Sequence, residues 1–154
     1  MNQVVIAACI VTGIFASSAA AEHGYRSGDL HVRHPWTRAT PPGAKNAAGY
    51  LEIRNSGKVP DRLVGASTPY AERVELHMMV REGDVMKMRE VQSFEVPAGQ
   101  RLTLRPGGQH LMIVGLKRPL AMDERIPLTL RFERAGEIRV ELGVQSADST
   151  KPHH

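Results

Sequence analysis

Two short stretches carry side chains that could bind a soft metal. "HLMIVGL" holds His110 and Met112 two residues apart, and "ELHMMVREGDVMKMRE" holds His77, Met79, Met86 and Met88. Alternate residues of a strand share one face, so His110 and Met112 point the same way, with Cα atoms about 7 Å apart. The second stretch predicts a hairpin. A two-residue loop at Glu82-Gly83, with Gly83 supplying a positive φ, sets Arg81 opposite Asp84, Met79 opposite Met86 and His77 opposite Met88. Residues 77, 79, 86 and 88 then share one face, and directly opposed Cβ atoms lie roughly 5 Å apart. Two histidines and two thioethers result if the two stretches meet.

The donor set selects among metals. Zinc prefers thiolate, imidazole and carboxylate, and calcium and magnesium take oxygen. Neutral thioether with imidazole suits Cu(I). Each stretch alone reads more readily as ordinary packing, a strand with a hydrogen-bonded histidine and core methionines. It is their joint presence on a chain without a usable thiol that favours copper.

That last condition comes from the N-terminus. "VVIAACIVTGIFA" is an apolar run followed by the small residues "SSAAA", the order of a secretory signal peptide. It is short for a membrane span. "IAAC" resembles a lipoprotein cleavage box ending at Cys9, but few apolar residues precede it and apolar sequence continues beyond it. Cleavage is therefore expected near Ala20 or Ala21, which removes Cys9, the single cysteine. The expected organisation is a signal peptide over 1–21, a β-sandwich domain over 22–146 and a disordered tail over 147–154. The mature protein would lie in the periplasm with no membrane span. A soft-metal site in that oxidising compartment must avoid thiols, which oxidise there.

The elements that must position the donors read as strands: "DLHVRHPWTRA", "AAGYLEIRN", "RLVGAST", "ERVELHMMV", "VMKMREV", "RLTLRPGGQ", "HLMIVGL", "IPLTLRFERA" and "IRVELGV", separated by Pro- and Gly-rich turns. Many short strands so punctuated indicate an all-β sandwich or barrel. The 154 residues suffice for one domain with a real core. With 42% hydrophobic residues but only 5% aromatics, that core must be mainly aliphatic. The net charge of +4 is spread among both signs, with no Lys/Arg run that would indicate nucleic acid. It is compatible with acidic protein partners.

The motif resembles that of the PCuAC family of periplasmic copper chaperones. His77, ten residues, Met88, twenty-one residues, His110, one residue and Met112 agree with that pattern at every spacing, and Met78 matches the Met that often follows the first His. "PWTRATPPGAKNAAGYLEIRNSG" and "DRLVGASTPYAERVELH" look like the family's upstream strands and loops, so the resemblance spans roughly residues 29–145. It implies a Greek-key β-sandwich, cupredoxin-like or immunoglobulin-like. It also implies a Cu(I) site made by His77, Met88, His110 and Met112, and delivery of Cu(I) to the CuA-bearing subunit of cytochrome c oxidase beside a Sco-type copper protein. The uncharged start "MNQ" and the tail depart from the pattern.

Other residues are weighed against this set. Met78 should turn to the opposite face from His77 and pack in the core. Met79 and Met86 could form a soft rim beside the site or a plain hydrophobic contact. Trp36 and Tyr50 are expected to pack or line the rim. His31 and His34 could share a metal only if the chain bends before Pro35, and read otherwise as separate surface imidazoles. Arg131, Glu133 and Arg134 read as solvated charges. The chain ends offer an auxiliary Cu(II) site: His23 as third residue of a mature start at Ala21, or the pair His153 and His154.

No nucleophile motif or carboxylate pair suggests an enzyme. A blue-copper carrier needs a Cys thiolate, which the mature chain lacks. Copper storage or resistance would use the same four ligands as delivery, and a metal-free structural sandwich would bind no copper.

Overall fold

A computed structural model describes residues 24–153 of the chain. The expected signal peptide, Cys9, His23 and His154 lie outside the described residues. Among those described, every regular element is a strand. They are β1 (Gly24–Ser27), β2 (Leu30–Arg38), β3 (Asn46–Asn55), β4 (Asp61–Ser67), β5 (Ala71–Glu82), β6 (Val85–Val91), β7 (Phe94–Val96), β8 (Arg101–Leu104), β9 (His110–Leu116), β10 (Arg125–Phe132) and β11 (Gly136–Gln145). The protein is all-β, as its punctuation predicts. Two strands escaped that reading: β1, "GYRS", has no apolar alternation, and β7 is three residues cut short by Pro97.

The strands pair in the order β1-β2-β11-β10-β4-β5-β9-β3-β8, and a further β2–β3 pairing joins the sheet to itself. Seven strands thus form a closed ring. β1, β6, β7 and β8 extend it as flanking strands on β2, β5, β4 and β3. The β3-to-β4 and β9-to-β10 connections join strands that are not neighbours, the crossovers of a Greek key. β2 and β11 run parallel, while the other pairs are antiparallel. β4 and β5 are joined through the single pair Ala66 and Val74.

Period-two alternation decides what faces in. In β10 and β11, Ile126, Leu128, Leu130, Phe132, Ile138, Val140 and Leu142 are buried, whereas Glu137, Arg139 and Glu141 are exposed. The core is aliphatic, with Val32, Ile53, Leu63, Leu111, Leu130 and Leu142 fully buried and Phe94 and Phe132 as its aromatic members. Each such side chain contributes about 1.5–3 kcal/mol by leaving water.

Trp36 and Tyr50 pack outside that core cluster, against each other, with ring centroids 4.7 Å apart. Part of the segment after β11 lies near Trp36. Arg38 Nε donates to the Ser149 carbonyl at 2.7 Å, Ser149 is buried, and Thr150, Lys151 and Pro152 line a cavity with Trp36 and His34.

Candidate metal centre

β5 and β9 are neighbours, and their register sets His77 opposite His110, Leu76 opposite Leu111 and Glu75 opposite Met112. Leu76 and Leu111 are buried in the core. Alternation therefore sends Glu75, His77, His110 and Met112 together to the outer face of the wall. His110 is the first residue of β9, and His77 is the last residue of β5 paired with it; from Met78 onward β5 pairs with β6 alone. The histidines thus sit at the rim of the barrel, where a two-stranded ribbon leaves it. Their rings lie 5.7 Å apart, tilted by 55°. His110 is buried, and the His77 side chain is only 14% exposed.

The hydrogen bonds specify which nitrogens are available. His110 Nδ1 lies 2.9 Å from the Gly108 carbonyl, which can only accept, so Nδ1 donates there and Nε2 is the nitrogen left for another partner. The loop makes this possible by folding back on itself: Arg105 N–H donates to the Gln109 carbonyl, Gly108 N–H donates to the Arg105 carbonyl, and Gly107 takes φ 79°. His77 Nε2 lies 2.8 Å from Glu75 Oε2. Arg73 Nε donates to the other oxygen of that carboxylate at 2.6 Å. The His77 hydrogen bond, followed by that from Arg73, holds the Glu75 carboxyl below its ordinary range, so it is an acceptor at neutral pH. His77 Nε2 is therefore the nitrogen that donates to Glu75, and Nδ1 is the one left for another partner. That Nδ1 is buried and has no hydrogen-bond partner. Leaving such a group unpaired costs about 1–3 kcal/mol, and a bound cation would satisfy it. A carboxylate or carbonyl on the far ring nitrogen is the usual support of a metal-binding imidazole.

The methionines flank the imidazoles. Met112 is half-buried on β9, opposite Glu75 on β5 and Ala48 on β3. Met88 is 48% exposed on β6. The expected hairpin register is corrected here. The loop is Gly83-Asp84, with Glu82 opposite Val85, so Met88 faces Met79, Met86 faces Arg81, and His77 faces Glu90. Gly83, at φ 62°, takes the first loop position, where a type II′ turn calls for glycine. The expected pairing had put it second. Because the displacement is two residues, every side chain keeps its face. Met88 stands diagonally from His77 rather than across from it, at the roughly 7–8 Å spacing that long side chains still bridge.

All four expected ligands thus share one outer face. The two histidines are directly opposed, Met112 lies two residues along β9, and Met88 lies across the ribbon on the other side. Met79 and Met86 share that face, and Met78 packs against the core as expected. Among the described residues no group of three or more His, Cys, Asp or Glu could hold a metal ion. A site here must therefore draw on the thioethers. Glu75 was missed by sequence reasoning, although its position two before His77 on a strand was the available signal. β2 does bend before Pro35, with His34 at φ 48° and a register shift between Arg33 and Trp36. His31 lies against Gly24, and His34 lines a cavity with Trp36. His153 is exposed.

The sequence model of the LpqE-like family, described as putative lipoprotein LpqE-like, matches residues 30–144. The putative lipoprotein Lxx21020 of Leifsonia xyli subsp. xyli (strain CTCB07) is 35% identical over 116 residues, 75% of this chain and 69% of that protein. The copper-bound PCuAC domain from PmoF2 superposes with a TM-score of 0.71 at 29% identity, covering 80% of this chain and 98% of that one. The solution structure of CuI-DR1885 from Deinococcus radiodurans gives a TM-score of 0.64 at 29% identity, covering 87% and 88%. The chain therefore belongs to the LpqE-like family and is a PCuAC-type domain.

Proposed function

We propose that the protein is an extracytoplasmic Cu(I) chaperone whose ligands are His77, Met88, His110 and Met112, and that it is not an enzyme. The observation that carries this is the opposed pair His77 and His110, each with one ring nitrogen committed to a protein acceptor and the other left for a metal, flanked on the same face by two thioethers. Two neutral imidazoles and two thioethers form a soft, uncharged set that suits Cu(I). The rim position, with Met88 half exposed, suits an ion that must be handed on. The copper-bound state of the PmoF2 domain and the CuI form of DR1885 support the same reading.

The proposed acceptor is the CuA-bearing subunit of cytochrome c oxidase, with a Sco-type copper protein acting beside it. The proposed location is the periplasm. Family members described as lipoproteins support an extracytoplasmic site, and N-terminal mass spectrometry distinguishes a mature start after Ala20 or Ala21 from a lipid-bearing Cys9. Anaerobic Cu(I) titration of the mature protein, followed by incubation with an apo CuA domain, tests the function. One tight Cu(I) equivalent that moves to the CuA domain is expected. Retention of bound copper would indicate storage, and no uptake would sink the copper reading.

A further inference from the structure

The observed ribbon register places three thioethers together beyond the histidines. Met79 faces Met88 across the ribbon, and Met86 lies two residues from Met88 on the same face. Opposed Cβ atoms in such a pair are roughly 5 Å apart, and diagonal neighbours remain within reach of long side chains. Core packing does not account for them. This part of β5 pairs only with β6, whose residues Val85 to Glu90 are all exposed, and Met86 and Met88 are 53% and 48% exposed. The opposite face of the ribbon is organised differently, with Lys87 and Arg89 both paired to Glu82. That face is thus ionic, while the other carries the flexible, polarisable sulfurs of Met79, Met86 and Met88 between Arg81, which is tied to the Gly83 carbonyl and Asp84 at the loop, and Glu90 opposite His77.

We propose that Met79, Met86 and Met88 form a second, weaker Cu(I) site, a three-thioether station that shares Met88 with the histidine site. This rests on the copper reading above. Transfer between the two is ligand exchange. Cu(I) keeps its bond to the Met88 sulfur, loses those to Met79 and Met86, and gains His77, His110 and Met112. The metal stays Cu(I) throughout. The thioethers exchanged carry no proton, and the imidazoles bind through the ring nitrogens not engaged by Glu75 and Gly108. The station is the exposed half of the path, where a copper donor or acceptor can reach the ion while Met88 still holds it.

The experiment uses the full mature protein in anaerobic competition with the Cu(I) chelator bicinchoninate. The first background is His77→Ala with His110→Ala, with or without Met79→Leu and Met86→Leu. Leucine keeps the apolar volume at these partly exposed positions, and circular dichroism checks the fold. The expected result is a weak Cu(I) equivalent in the histidine-free protein, with a sulfur-only X-ray absorption signature, that disappears when the two leucines are added. In the otherwise wild-type protein, the two leucines should leave the equilibrium affinity of the histidine site essentially unchanged and slow Cu(I) release to the chelator several-fold. Residual binding that survives the leucines, or a release rate they do not alter, overturns the station. Absence of any Cu(I) uptake by the wild-type protein instead overturns the copper reading on which it rests.

Discussion

His77 and His110 face each other across β5 and β9 with their rings 5.7 Å apart, and each is oriented from behind by an acceptor of its own. For His110 the acceptor is the backbone carbonyl of Gly108, and for His77 it is the Glu75 carboxylate. The pair is thus pre-oriented at the rim by groups that would remain in place whether or not a metal binds. Holding the ligands before binding lowers the ordering cost of capture.

Glu75 should matter to copper without touching it. Glu75→Ala frees the His77 ring and is expected to weaken Cu(I) binding by about 10–100-fold, the usual effect of losing such a partner. Glu75→Gln retains a carbonyl acceptor for Nε2–H and should recover most of that loss. Nitrogen chemical shifts of His77 should show the proton on Nε2 in the wild-type protein and a tautomer mixture in the alanine variant. Equal affinity in all three proteins would remove the role.

The two ligand methionines should separate in their effect on the fold. Met88 is half exposed on the ribbon, so Met88→Ala is expected to change stability by no more than about 0.5 kcal/mol. Met112 is half-buried between β5 and β3, and Met112→Ala should cost more, about 1 kcal/mol. Both should weaken Cu(I) binding. Urea unfolding set beside chelator competition measures the two effects independently, and unchanged Cu(I) affinity in both variants would count against their roles.

Valence tests the donor set. The site should hold Cu(I) more tightly than Cu(II), because thioethers are soft donors. Titrations with each ion measure this, and a tighter Cu(II) complex at these residues would contradict the assignment.

Away from the site, Glu124 should contribute to acid sensitivity. The Ala121 backbone N–H, and then Arg118, hold its carboxyl below the ordinary 4.5. A depressed folded-state value stabilises the protein above the ordinary carboxylate value, and that contribution is lost as pH falls through the folded-state value. Glu124→Gln should therefore lower stability at neutral pH and flatten the decline in acid. Thermal unfolding across that range reads the difference, and parallel curves for the two proteins would exclude the contribution.

The sequence by itself determined which side chains share a face. Strand alternation alone puts His77, Met79, Met86 and Met88 on one side of the hairpin and His110 with Met112 on one side of β9. That reading survived a hairpin register displaced by two residues, because the side-chain period is also two. The thioether-rich donor set was legible for the same local reason, as was the all-β class, which turn residues and alternation express directly. Only the tertiary structure decided that β5 and β9 are neighbours, since their pairing joins strands far apart in the chain. Their register in turn made His77 face His110, and the packing around them gave His77 its Glu75 partner and left its Nδ1 unpaired. The hairpin loop was decided there too, because "REGD" allows glycine at either loop position and the pairing of the two strands selects one.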